Sequence, residues 1–143
     1  MKQEDKELLL QILCSYLPYG IKVGIYMNTT GIYFTAVLRS VNPFNQTFQI
    51  GSEHYNDFSR CKPYLIPMSR MTTEDVERLS KETHCNIGWD SANIAESLTI
   101  MDNQSVLSNV AVINWLIKNH FDYMGLIPKG LALEGTEGMY VNV

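Results

Sequence analysis

No CxxC pair, no block of like charge and no low-complexity segment occurs in this sequence, and each absence narrows the range of possible chemistry. The cysteines are Cys14, Cys61 and Cys85, odd in number and far apart. That pattern reads as free thiols of a reducing compartment and not as a disulfide framework. Among the soft ligands only His84 and Cys85 are neighbours, and adjacent residues do not reproduce zinc-ligand spacings, so no metal is expected. No stretch approaches the ~18–20 apolar residues of a membrane span. The short run Leu8-Leu9-Leu10 is preceded by acids and does not read as a secretory leader. A cytoplasmic protein without membrane contact is the expectation.

What is present fits an ordinary globular protein. Hydrophobic residues make up 45% of the chain and charged residues only 18%. A length of 143 residues is one domain by the usual prior. Residues 1–71 read as a helix plus a small sheet, and residues 72–143 as a helical part ending in a C-terminal lock. Net charge is −4, but it is unevenly spread. Residues 18–71 carry five basic against two acidic side chains, a balance of +3, whereas residues 72–143 carry four against ten, a balance of −6.

The elements follow from periodicity. Over residues 3–17, Leu8, Leu9, Leu10, Ile12, Leu13, Tyr16 and Leu17 fall on one half of a helical wheel, and Pro18-Tyr19-Gly20 ends the helix. From Ile21 to about Pro67 the pattern changes to short, β-branched and aromatic-rich strands separated by turns. An α+β fold is expected: an N-terminal helix, a small antiparallel barrel-like sheet (an SH3-like closure being one form of it), two further helices and an extended C-terminal segment. The second helix starts with Thr72 as N-cap, Asp75 at N3, and Met71 with Val76 as a hydrophobic staple. Val76 and Leu79 are its inward residues. The third, about 106–119, is capped by Ser105 and carries a core stripe of Val106, Val110, Ile113 and Ile117. Ala111, Val112, Trp115 and Leu116 form a second apolar strip, which is either sandwiched in the fold or offered to a partner. Residues 84–104 are the least legible, with "GWDSAN" loop-like and "SLTIM" readable as strand or helix.

The segment "NHFDYMGLIPKGLALEGTEGMY", residues 119–140, sets His120, Asp122, Tyr123 and Lys129 among regularly spaced glycines. Its Gly125-x-x-x-x-Gly130 lacks the following Lys-Ser/Thr of a phosphate loop, since Leu131-Ala132 come next. His120 and Asp122 do not form a nucleophile–base pair on any strand–turn–helix elbow. A partly protonated His120 at a helix C-terminus and a turn-forming Asp122 account for both. No catalytic residue and no cofactor is expected, and the segment reads as a lock on the fold. Two binding readings remain. One uses Trp115 on the exposed side of the third helix, with Tyr123 and Met124, to hold a protein partner. The other uses the sheet, where Tyr26, Tyr33, Phe34, Phe44, Phe48, Tyr55, Phe58 and Tyr64 accompany Arg39, Arg60 and Lys62 as phosphate contacts for single-stranded nucleic acid. An enzyme of unknown class is the least favoured reading.

Three blocks, "MKQEDKELLLQILCSYLPYGIKV", "KPYLIPMSRMTTED" and "NWLIKNHFDYMGLIPKGLALEGTEGMY", give the chain a likeness as a whole. It resembles a family of small proteins of uncharacterised function encoded in phage-like and other mobile regions of gut anaerobic bacteria. Met124 and Gly135-Thr136 depart from the basic residue and Ala-Pro expected there. The resemblance carries over no catalytic residues. It implies a non-enzymatic binding module acting on a macromolecule of host or phage origin, for example an inhibitor of a bacterial defence system.

Overall fold

A computed structural model describes residues 2–83 and 106–140 of the chain. The readings of residues 84–104 and of the Ser105 cap lie outside the described residues. Helix α1 spans Gln3–Tyr16 and buries Leu9, Leu10, Ile12, Leu13 and Tyr16, the apolar half of the wheel. Glu4 and Asp5 in its first turn complement the positive end of the helix dipole. A 3₁₀ turn, Leu17–Tyr19, closes it, and Gly20 takes φ +69° so that the chain can reverse into the sheet.

Six strands follow: β1 (Lys22–Met27), β2 (Ile32–Asn42), β3 (Thr47–Ile50), β4 (Glu53–Tyr55), β5 (Cys61–Leu65) and β6 (Leu133–Glu134). They lie in the order β4-β3-β2-β1-β5-β6. All neighbours are antiparallel except β5 and β6. The α+β architecture read from the sequence is present. The sheet is open: among the described residues no pairing joins β4 to β5 or β6, so β4 and β6 are its edges.

Period-two alternation sorts the side chains. Val23, Ile25, Leu38, Phe48, Ile50, Cys61 and Leu65 point to one face and form the core with α1. Each such large side chain stabilises the fold by about 1.5–3 kcal/mol when fully buried. A bulge between Leu38 and Ser40 shifts the β2–β3 register by one residue, which places Arg39 on the opposite face beside Ser40.

Helix α2 (Thr73–Thr83) begins as its capping pattern predicts. Asp75 N–H donates to the Thr72 hydroxyl at 3.1 Å and Thr72 N–H donates to the Asp75 carboxylate at 2.9 Å. Val76 and Leu79 are its buried residues. They meet helix α3 (Val106–Lys118) in a second core with Met71, Val112, Trp115, Leu116 and Phe121.

The stripe on α3 is where the structure corrects the sequence reading. Val110 and Ile113, assigned to the core, are 48% and 37% exposed, while Trp115 is 5% exposed. Both strips are apolar, so helical periodicity cannot choose between them. The larger strip wins because Met71, Val76 and Leu79 stand opposite it. Trp115 stacks on Phe121 at 5.9 Å, has Arg78 over its ring and donates its indole N–H to Glu82. Ile117 faces the other way, into the core beneath the sheet, so α3 is sandwiched.

Trp115→Ala is therefore expected to lower the unfolding free energy in urea by about 3–5 kcal/mol. Ile113→Ala should cost about 1 kcal/mol or less. Equal losses would place Ile113 in the core as well.

Candidate functional site

The sheet face turned away from α1 carries a grouping of side chains that β-strand alternation dictates. Directly opposed strand residues share a face. The pairs Tyr26–Tyr33 and Lys22–Val37 and the row Thr35–Gly24–Lys62 therefore lie on the outer side, with Tyr64 and Leu133 beside them. Tyr26 and Tyr33 meet edge to face at 5.3 Å, Lys62 Nζ lies 5.9 Å from the Tyr33 ring centre, and Tyr64 shares a 3.3 Å hydrogen bond with the Thr35 hydroxyl. The rings can close over β1 because position 24 is glycine. A Cβ there would come within 2.8 Å of Leu133 Cδ1, 3.1 Å of the Tyr64 hydroxyl and 3.2 Å of Tyr33 Cδ1.

Charge on this face is of one sign. Lys22, Arg39 and Lys62 belong to it, and no Asp or Glu occupies an outward strand position among the described residues. Lys22 is committed to the fold, with Nζ donating to the Met139 carbonyl at 2.6 Å. Arg39 is exposed and donates to the Gly51 carbonyl at 3.2 Å. Arg60 differs from the other two: Nε and Nη2 both donate to the Tyr26 carbonyl, at 3.0 and 2.7 Å. It braces the end of β1 with two of its five N–H donors.

The segment after α3 has another role. His120 stands at C′ of the helix with φ +64°. Phe121 N–H donates to the Leu116 carbonyl and His120 N–H to the Ile117 carbonyl, the Schellman arrangement. Glycine usually fills that position, so the side chain must justify the histidine. Its Nε2–H donates to the Tyr19 carbonyl at 2.7 Å and its ring stacks on Tyr140 at 3.7 Å. Burial holds the imidazole pKa below its ordinary 6.5, opposed in part by the Tyr19 carbonyl and reinforced by Lys22. The expected partly protonated imidazole is thus corrected to a neutral, buried one, and the last helical carbonyls are satisfied by backbone N–H groups instead.

Asp122, also buried, accepts the Leu126 and Ile127 N–H groups at 2.7 and 2.9 Å, the turn chemistry expected of it. Tyr140 completes the lock. The β1–β5 ladder ends at Val23–Pro63. One step beyond, the Tyr140 hydroxyl accepts Lys22 N–H at 2.9 Å and donates to the Tyr64 carbonyl at 2.7 Å. Its own ionisation is pushed well up by that burial.

Of the sequence-predicted site residues, Arg39 and Lys62 share the outer face, and Arg60 lies at its edge, two of its donors engaged by the Tyr26 carbonyl. Trp115, Tyr123 and Met124 do not form one exposed surface: Trp115 is buried, Tyr123 packs against both cores, and only Met124 is exposed, at 39%. The aromatics separate in the same way. Phe34, Phe48, Tyr55 and Phe58 belong to the core or pack on it. The outer trio of Tyr26, Tyr33 and Tyr64 was recoverable from alternation along each strand. Leu133 was not, because it reaches the platform through a parallel pairing with β5 across a long stretch of chain.

Cys14 is exposed and Cys61 buried, the latter thiol pushed up to about 12 by desolvation. No group of three or more His, Cys, Asp and Glu is arranged to hold a metal among the described residues, and no described helix is long and apolar enough to cross a membrane. Comparison with protein-family models, curated proteins and solved structures finds no match to this chain.

Two outcomes test the lock. The unfolded imidazole protonates near its ordinary pKa and the folded one lower, so falling pH favours the unfolded state. The stability present above about pH 6.5 is lost below it. Thermal melts between about pH 7.5 and 5.5 should show a falling midpoint that His120→Gln flattens. Tyr140→Phe keeps the stack on His120 but strands Lys22 N–H and the Tyr64 carbonyl, and is expected to cost about 1–3 kcal/mol in chemical denaturation.

Proposed function

We propose that the protein is a non-enzymatic binding module whose outer sheet face takes single-stranded nucleic acid. The observation that carries this reading is the coincidence of three tyrosines, two available cations and no carboxylate on that one face. Aromatic faces stack bases of any sequence, and the cations meet the backbone between them. The net −4 charge of the chain would repel a polyanion, which makes an acid-free patch the part able to receive one. An order in which five antiparallel strands run β4-β3-β2-β1-β5 behind an N-terminal helix also suits the SH3-like reading of the sheet. A cytoplasmic setting and an origin in a mobile element or phage belong to the same proposal.

A second reading, a protein partner of host or phage origin, is favoured by the exposure of Val110, Ile113 and Met124. It no longer uses Trp115, whose burial removes the anchor first assigned to it.

The test is fluorescence anisotropy with labelled single-stranded oligonucleotides across a salt series. With Arg39 and Lys62 each on a phosphate, log K should fall against log salt with a slope of about −1.4, at ~0.7 per contact. Lys62→Ala should remove about half of that slope, and Tyr33→Ala should weaken binding to all sequences alike. Absent or salt-independent binding rejects the reading. Capture from host extract with nuclease-treated controls then decides for the protein partner.

A further inference from the structure

The outer face does not end at the tyrosines. Where the β2–β3 hairpin turns, Phe44 is 96% exposed, the most solvent-accessible large apolar side chain of the described residues. The loop that presents it is well organised. The Asn42 side-chain oxygen accepts both Phe44 N–H at 3.0 Å and Asn45 N–H at 3.1 Å. Pro43 restricts the first residue of the turn, and Gln46 takes φ +53° to return the chain into β3. A turn held this way keeps its aromatic tip in one place instead of letting it fold back onto apolar surface.

Beside the turn is an open hollow of about 420 Å³ lined by Ser40, Asn42, Asn45, Thr47 and His54 among others, with Phe44 outside it between the lining residues Pro43 and Asn45; its volume is within the ~300–1,000 Å³ of ligand sites. The register Asn42–Thr47, Ser40–Gln49 and Gln49–His54 puts Ser40, Asn42, Thr47 and His54 on the outer side of the sheet, while Val41 and Phe48, which also line the hollow, pair on the inner side. The hollow therefore opens in part on the same side of the sheet as the tyrosines, but at the other end of β2, nine residues or about 30 Å from Tyr33, with Arg39 at the bulge between the two. Carboxamides, hydroxyls and an imidazole around a space of this size supply donors and acceptors in one plane or another, the requirement for holding a heterocycle by its edge.

We infer that the β2–β3 hairpin end is a nucleobase pocket, in which Phe44 stacks on one base while Asn45 and His54 hydrogen-bond its edge. The inference rests on the nucleic-acid reading of the sheet face and adds to it a point where the strand is read as well as held. The single strand would run several nucleotides along β2 from the tyrosines to the hairpin, with Arg39 about midway on one of the phosphates between.

The experiment uses the full chain with fluorescein-labelled oligothymidylate and oligoadenylate. Phe44 is almost wholly in solvent, so its replacement leaves the core untouched. Phe44→Ala should weaken binding about tenfold, the size of one lost base–aromatic stack. Phe44→Trp should retain affinity and show added tryptophan emission that the oligonucleotide quenches. Asn45→Ala should narrow the difference in affinity between the two oligonucleotides. Wild-type binding with Phe44→Ala unaffected and Phe44→Trp unquenched overturns the pocket and leaves the tyrosine face standing. No binding by the wild-type chain overturns both.

Discussion

Ile66 donates its N–H to the His120 carbonyl and accepts the N–H of Asp122, both at 2.8 Å, and through this exchange the end of β5 holds the turn that leaves α3. The rest of the molecule is arranged around that joint. On one side of it Tyr16, at the end of α1, donates its hydroxyl to the Phe121 carbonyl. On the other, Asp122 gathers two N–H groups and directs the chain back towards β5, where Leu133 and Glu134 add the last strand. His120 accepts a left-handed backbone costing roughly 1–2 kcal/mol because only an imidazole there can reach the Tyr19 carbonyl and lie flat on Tyr140. Arg70 fastens the far end, donating to the Gly135 carbonyl at 2.5 Å and pairing with Glu134 at 3.3 Å.

This closure sets which surfaces are free. Among the described residues, α1 covers the inner face of the sheet and α3 is wedged between the two cores. The same strand β6 that ends the lock brings Leu133 onto the outer side, over Gly24 and beside Tyr64. The platform is thus completed by the segment that stabilises the fold. Lys22 takes part in the closure as well. It stands on the outer face by register, but its ammonium is held by the Met139 carbonyl, whereas Lys62 lies over the Tyr33 ring and Arg39 donates to the Gly51 carbonyl.

Several features were legible from local pattern because local physics decides them. The Thr72–Asp75 box is a contact between residues three apart, and the α1 face and the Gly20 stop depend on near neighbours alone. The turn role of Asp122 is equally short in range. The placement of Trp115 was not legible, since α3 has two apolar strips and the choice depends on α2, which is distant in sequence. His120 was misread for a similar reason: its environment is supplied by Tyr19 and Tyr140, from the opposite ends of the chain. Arg60 and Lys62 look alike in sequence, yet the β1–β5 register hands one to a backbone carbonyl and leaves the other over Tyr33.

The chain by itself therefore determined the α+β class, the apolar face of α1 and its stop at Gly20, the Thr72–Asp75 cap that starts α2, the separation of a mildly basic strand region from an acidic remainder, and the absence of a phosphate-loop match. All of these depend on residues within a few positions of one another or on composition. Tertiary structure alone decided which strip of α3 is core, which cations stay available, and that Tyr26, Tyr33, Tyr64 and Leu133 share one face. Those outcomes depend on contacts between residues up to 117 positions apart, and side-chain burial is set by what packs opposite, which no local period can encode.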